Sequence, residues 1–159
     1  MSCKLNVYVI DLCGTLTLNQ LTKRRELIPP AHLRQTPGAW DAFSLAGADE
    51  IPNAPMVALT RELRAAGNSV YIVTGRGEIA KQVTIDWLKR VGAEWDLLIM
   101  RPFDDMRPDH EYKRDVLINQ IGLERISMCF DDTPAVIKEL RSLGLCVCQV
   151  TDCLLVPED

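Results

Sequence analysis

Long hydrophobic runs are missing from this sequence: no apolar stretch approaches the roughly 18 residues needed to cross a bilayer. Histidine is nearly absent, with only His32 and His110. The tight pair Cys146-Val147-Cys148 lies far from both, so the spacing of a structural zinc site is lacking. There is no excess of basic charge. The net charge is −4 and the isoelectric point near 5.2, which argues against a broadly basic surface for coating nucleic acid. Internal repeats, low-complexity tracts and a cleavable signal pattern at the N-terminus are also lacking, and the expectation is a cytoplasmic protein with no membrane association. In that compartment the six cysteines (Cys3, Cys13, Cys129, Cys146, Cys148 and Cys153) are expected as reduced thiols. Cys146 and Cys148 share one strand face, where packing is their expected role.

What is present suits a single globular domain. The chain has 159 residues, 47% of them apolar and 25% charged, enough to bury a core and too apolar for disorder. Leu5 to Ile10 reads as a buried strand ending at Asp11. An irregular stretch, 16–52, follows, with Pro29-Pro30, Pro37-Gly38 and the basic triplet Lys23-Arg24-Arg25. Insertions of this length in compact domains are more often functional than idle. Asn53 is the expected cap of a helix with Met56, Leu59, Leu63 and Ala66 inward, stopped by Gly67.

The strand Val70–Val73 runs into Thr74-Gly75-Arg76, and a helix with Ile79, Val83, Trp87 and Val91 on one face closes at Gly92. Strand 97–100 leads through the loop 101–108 to a helix over 109–122. Strand 126–130 delivers Asp131-Asp132, and Thr133-Pro134 opens a helix with Val136, Ile137, Leu140 and Leu143 inward. A last strand spans 145–150. Short apolar strands alternating with amphipathic helices predict an α/β domain with a doubly wound, mainly parallel sheet. The expected organisation is one domain over 1–159, with 16–52 as a flap or small cap inserted after the first strand.

Ligands of open α/β sheets bind beyond the carboxyl ends of the strands. There the sequence places Asp11, Thr74, Asp131 and Asp132, with Lys113 early on the helix after the third strand. Three carboxylates, a hydroxyl and an ammonium suit phosphoryl transfer. A carboxylate can attack phosphorus, a hard cation such as Mg2+ can offset the crowded negative charge, and Thr and Lys can hold phosphate oxygens. Arg101, Arg107 and Arg114 either join a phosphate-facing loop or form ordinary surface charge. Lys23-Arg24-Arg25 is either a polynucleotide contact or a solvated face. Trp40 and Phe43 either stack on a base or, the favoured reading, close the insertion onto the core.

Asp11-Leu12-Cys13-Gly14-Thr15, Thr74-Gly75-Arg76, Lys113 and Asp131-Asp132 resemble, in order, the four motifs of the haloacid dehalogenase-like (HAD) phosphohydrolases. Trp40-Asp41-Ala42-Phe43, Pro52-Asn53, Met100-Arg101-Pro102, Arg107-Pro108-Asp109 and 144–150 are similar to the 3′-phosphatase domain of phage-type polynucleotide kinases. A Gly-rich kinase loop is not present. The resemblance implies a Rossmann-like HAD fold and a Mg2+-dependent phosphoric monoester hydrolase, with Asp11 as nucleophile. It implies metal ligation by Asp11, the Cys13 carbonyl, Asp131 and Asp132. Thr74 and Lys113 would hold the phosphate, with Thr15, Gly75, Arg76 and Arg101 completing the substrate site.

The implied substrate is a nucleotide or a 3′-phosphorylated nucleic-acid end, with no obligate protein partner evident. Two departures stand out. Cys13 occupies the position where the family usually carries an acid/base aspartate, and Thr133 the position where the subgroup usually has arginine. The other readings are a small-molecule HAD phosphatase, and a phosphate- or nucleic-acid-binding protein with weak or no turnover.

Overall fold

The computed structural model describes residues 6–18 and 23–151. The expected strand start at Leu5, the thiols Cys3 and Cys153 and residues 19–22 of the insertion lie outside them. Five parallel strands form one sheet: β1 (Val7–Ile10), β2 (Ser69–Gly77), β3 (Leu97–Arg101), β4 (Ile126–Asp131) and β5 (Val147–Gln149). Their order is β3-β2-β1-β4-β5. Val7 pairs with Ser69 on one side and Ile126 on the other, and Ile10 with Ile72 and Phe130. The chain therefore builds outward from β1 in one direction, then returns to build in the other. A crevice opens where the order reverses, beyond the ends of β1 and β4.

The alternation of side chains along each strand feeds two cores. Val7, Val9, Val73 and Cys129 face α4 (Asp109–Val116) and α5 (Pro134–Ser142) and pack with Tyr112, Val116, Val136, Ile137 and Leu140. Ile10, Val70 and Ile72 face α2 (Ala54–Ala65) and α3 (Lys81–Val91) and pack with Met56, Val57, Trp87 and Leu88. Helices thus cover both sides of an all-parallel sheet, a doubly wound, Rossmann-like arrangement. Among the described residues, no helix is long and apolar enough to cross a membrane.

Several local expectations need correction. The inward face of α3 is Ala80, Thr84, Trp87 and Leu88, while Ile79 is exposed. Trp87 is inward as expected and Val91 packs partly buried against the same core, while Ile79 falls in a short 3-10 turn, Glu78–Ala80, that precedes α3. In α2 the buried residues are Met56, Val57 and Thr60, and Ala66 is exposed. Asn53 stands at the start of α2 without capping it: its Nδ2 donates to the Thr15 carbonyl at 3.0 Å. The helix after β3 is α-helical only to Val116 and widens into a π-turn over Leu117–Ile121. Cys146 and Cys148 are both exposed, so Val147, between them, is the packing residue of the last strand. All four described cysteines are free thiols.

Between β1 and α2 the chain leaves and returns through a narrow neck. Thr17 bridges Pro52, Leu18 N–H donates to the Ile51 carbonyl, and Asn53 N–H to the Leu16 carbonyl. Beyond the neck lie two 3-10 turns, Lys23–Leu27 and Ala31–Leu33, the one-turn helix α1 (Asp41–Leu45) and a third 3-10 turn, Ala46–Asp49. Their interior is built on Arg24. Its guanidinium lies over the Phe43 ring at 3.9 Å, Nε donates to the Phe43 carbonyl, and Nη1 pairs with Glu50 at 2.7 Å. Trp40 meets Phe43 edge-on at 5.4 Å. The basic triplet is therefore neither a free phosphate contact nor a solvated face at Arg24, which is only 3% exposed. Trp87 Nε1 donates to the Glu50 carbonyl and ties this segment to α3.

Candidate active site

The four-residue strand β1 is apolar to its end, so its first polar side chain, Asp11, emerges at the crevice. Asp11 is fixed from behind by its N–H, which donates to the Phe130 carbonyl of β4. The chain must then turn sharply to clear the sheet. Gly14 does this at φ +85°, where an L side chain would be strained. Its N–H donates to Thr17 Oγ1, and its carbonyl accepts from Thr151 Oγ1 at 2.8 Å. Strand β4, one position over, delivers Asp131 and Asp132. Oxygens of Asp11, Asp131 and Asp132 all lie within 4.8 Å of one another.

Each of these carboxylates is at most 4% exposed. Lys113, on the first turn and a half of α4, reaches into the cluster. Its Nζ donates to Asp11 Oδ1 at 2.9 Å and Asp131 Oδ2 at 2.8 Å, and lies 3.1 Å from Asp109 Oδ2. The resemblance includes Asp109, in Arg107-Pro108-Asp109, but implies no role for it. Its i,i+4 spacing to Lys113 places both on one helix face.

Charge does not balance here. One ammonium, Lys113, and one guanidinium, Arg101, face four carboxylates, and burial magnifies the mismatch. Burial pushes the Asp11 carboxyl well above the usual range. Lys113 pulls it back, but Asp131 and Asp132 add to the rise. Burial, with Asp131 beside it, raises Asp132 to about 6. Burial alone would lower the Lys113 ammonium, yet Asp109, Asp11 and Asp131 outweigh it and keep the group firmly protonated. For Asp109 the burial effect is likewise overcome, by Lys113 and Arg101, and its carboxyl is lowered. Three buried carboxylate oxygen donors with an excess of negative charge fit a hard divalent cation.

The remaining expected residues fall in two groups. Thr74 is buried at the end of the regular part of β2, where its Oγ1 accepts the Arg76 N–H at 3.1 Å. The β2–β3 register slips between Thr74 and Gly77. Gly75 lies in this irregularity against Asp109, and a Cβ there would collide with Asp109 Oδ1. Thr15 is fully buried, and its hydroxyl has no hydrogen-bond partner.

The arginines are held by other partners. Arg101 stacks on Tyr112 at 4.5 Å, pairs with Asp109 at 2.8 Å and donates to the Gly75 and Arg107 carbonyls. Arg107 pairs with Asp105 and Asp115, and Arg114 with Asp115 and Glu139, so these two form a surface charge network. Arg76 is buried, donating to Thr84 Oγ1 at 3.3 Å and Cys13 Sγ at 3.2 Å. Cys13, partly exposed, also has Arg24 Nη1 3.9 Å from its sulfur. Thr133 stands at the start of α5 without a side-chain cap. Its N–H donates to Asp131 Oδ1 and its hydroxyl to Asp132 Oδ1, so it orients the pair instead.

Comparison with known proteins gives a consistent family and fold. The family model of the polynucleotide kinase PNKP phosphatase domain matches residues 32–153. No curated protein sequence matches significantly. Among solved structures, a chain of the Pnkp1/Rnl/Hen1 complex superposes with a TM-score of 0.75 at 23% identity, covering 96% of this chain and 48% of that one. This chain thus spans about half the length of that neighbour. An L-2-haloacid dehalogenase matches at TM-score 0.64 and 15% identity, over 98% of this chain and 92% of its own. A HAD family enzyme from Bacteroides thetaiotaomicron, in complex with magnesium and inorganic phosphate, matches at 0.52 and 16%, over 91% and 93%.

Proposed function

This chain belongs to the polynucleotide kinase PNKP phosphatase-domain family, and we propose that it is a Mg2+-dependent phosphatase using Asp11 to hydrolyse a phosphomonoester on a nucleic-acid 3′ end or a nucleotide. The observation that carries this reading is the buried cluster of Asp11, Asp131, Asp132 and Lys113 at the switch point of the sheet. Asp11, Asp131, Asp132 and the Cys13 carbonyl would hold the ion. When bound, Mg2+ supplies the positive charge that lets carboxylates and a phosphate dianion share one site.

Asp11 attacks phosphorus through one carboxylate oxygen, and the bond from phosphorus to the leaving oxygen breaks. Water then hydrolyses the aspartyl-phosphate and regenerates Asp11. Lys113 holds Asp11 in position and, with the Thr74 hydroxyl, supports the charge that builds on the phosphoryl oxygens. Asp109 and Arg101 steady Lys113 and the loop before α4. Thr15, Gly75 and Arg76 frame the opening, and residues 16–52 act as a flap or small cap over one domain that spans 1–159.

A leaving alkoxide needs a proton. Cys13 stands two residues after Asp11, and a thiol is a weak hydrogen-bond donor. That observation favours a second reading, phosphate or nucleic-acid binding with little turnover. Cys13→Asp separates the two. Losing a positioned acid/base group costs about 100- to 10,000-fold, so Asp at this position is expected to raise turnover of an oligonucleotide 3′-phosphate at least about tenfold. Tight binding of the same oligonucleotide with no phosphate release by either protein would establish the second reading. A rate on small alkyl phosphates equal to that on 3′-phosphate ends would point to a small-molecule enzyme.

A further inference from the structure

Two buried arginines converge on one thiol at the edge of the site. Arg24, from the inserted segment, and Arg76, from β2, are 3% and 4% exposed, and both are directed at Cys13 Sγ. Glu50 offsets Arg24 at 2.7 Å. Among the described residues Arg76 has no carboxylate partner; Thr84 Oγ1 and Cys13 Sγ accept its hydrogen bonds. Arg24 Nη2 and Arg76 Nε are buried N–H groups without any partner. A buried cation without a carboxylate is costly, and the cost at Arg76 falls if an anion forms where the two guanidinium groups meet. The atom at that point is the Sγ of Cys13, a half-buried residue.

The geometry points to Cys13 as a peroxide-modified residue whose sulfinate bridges Arg24 and Arg76 and rivets the inserted segment to β2. The sulfur lone pair attacks one oxygen of hydrogen peroxide. The S–O bond forms, the O–O bond breaks and water leaves, giving the sulfenic acid. A second peroxide repeats the step. The sulfinic proton passes to solvent and leaves two oxygens sharing a negative charge. Sulfur is oxidised and peroxide reduced at each step.

The adjacent guanidinium groups stabilise negative charge as it develops on sulfur and on the product oxygens. With Sγ 3.9 Å from Arg24 Nη1 and 3.2 Å from Arg76 Nη2, oxygens bonded to that sulfur and directed off the S···N lines come within hydrogen-bond reach of both guanidinium groups. The thiol site shares Cys13 and Arg76 with the proposed phosphatase site, but modification is read by mass and not by turnover, so either can fail without the other.

The test exposes the full chain to graded hydrogen peroxide and maps each cysteine by peptide mass. Cys13 is expected to gain two oxygen atoms at doses that spare the exposed Cys146 and Cys148, whose sulfurs have no guanidinium partner among the described residues. Arg76→Met is expected to slow the modification by about tenfold. Glu50→Gln, which removes the one offsetting carboxylate, is expected to speed it. Oxidised wild type should resist protease cleavage within 23–50 better than reduced protein, while Cys13→Ser shows no peroxide effect. Modification of Cys146 or Cys148 ahead of Cys13 would overturn the proposal, as would equal Cys13 rates in wild type and Arg76→Met. If Arg76→Met does not fold, a Glu50→Gln rate no higher than wild type overturns it.

Discussion

At the residue scale, Lys113 is the group on which the cluster depends. It is 3% exposed and bonded to Asp11 and Asp131, with Asp109 one turn earlier. Removing one partner of a buried ionic set leaves the others uncompensated. Lys113→Met is expected to cost about 3–5 kcal/mol near neutral pH, measured by urea unfolding without divalent ions. The loss should shrink under acid, where the orphaned carboxylates are protonated. A uniform loss at every pH would show that Lys113 acts through packing instead. The positions of Asp11, Asp131, Asp132 and Lys113 were legible because each follows a short apolar strand or opens a helix next to one. Asp109 was not, because a single aspartate at a helix start reads equally well as a first-turn charge. The partners of Arg76 and Arg101 were not legible either. Each depends on a residue distant in sequence, Cys13 for Arg76 and the Gly75 carbonyl for Arg101.

At the element scale, the segment between β1 and α2 is held by few groups. Arg24 binds Glu50 and Phe43 within it, and the Glu50 carbonyl takes the Trp87 indole N–H from α3. Breaking the buried pair on one side leaves Glu50 charged and unpaired. Arg24→Met is expected to destabilise the protein by about 3–5 kcal/mol. Arg24→Met with Glu50→Leu should recover much of that, as a double-mutant cycle in urea would show. Additive losses would mean that the pair is not coupled.

Helix and strand positions were largely readable from the apolar periods, but this segment was not. It has no period of its own, and its interior is a cation over an aromatic ring, which composition alone reads as surface charge. The face of α3 was legible at Trp87 and Val91 but not at its start, because Ile79 lies in a 3-10 turn at 78–80 and not in the helix that follows. Gly75 illustrates a backbone constraint between elements. Gly75→Ala would press on Asp109 and is expected to lower affinity for phosphate, measured by calorimetry, while a change no larger than in Gly77→Ala, where a Cβ makes only ordinary contacts at 3.7 Å, would refute the contact's role.

At the scale of the whole molecule, the doubly wound, mainly parallel sheet was readable as a class, because alternating strands and helices permit few topologies, while the order β3-β2-β1-β4-β5 came from the structure. The two faces of the sheet then bring residues 11, 113 and 131 together from distant parts of the chain. The resulting charge cluster sets how stability varies with pH. Asp132 titrates near 6 in the fold against 3.8 as a free side chain, and Asp11 is raised too. The folded state therefore binds more protons than the unfolded chain across that window, and metal-free stability falls as pH rises from about 4 to about 6. Divalent cations need the ionised form, so the rise in Tm on adding Mg2+ should be larger at about pH 7 than at about pH 5.

The most direct measurement of the central claim is phosphate release from an aryl phosphate, whose leaving group needs no proton, by wild type and Asp11→Asn with and without Mg2+. Release by the wild type only with Mg2+, lowered at least about 1,000-fold in a folded Asp11→Asn, is the expected result. Equal release by the two proteins, or release unaffected by chelation, would contradict it.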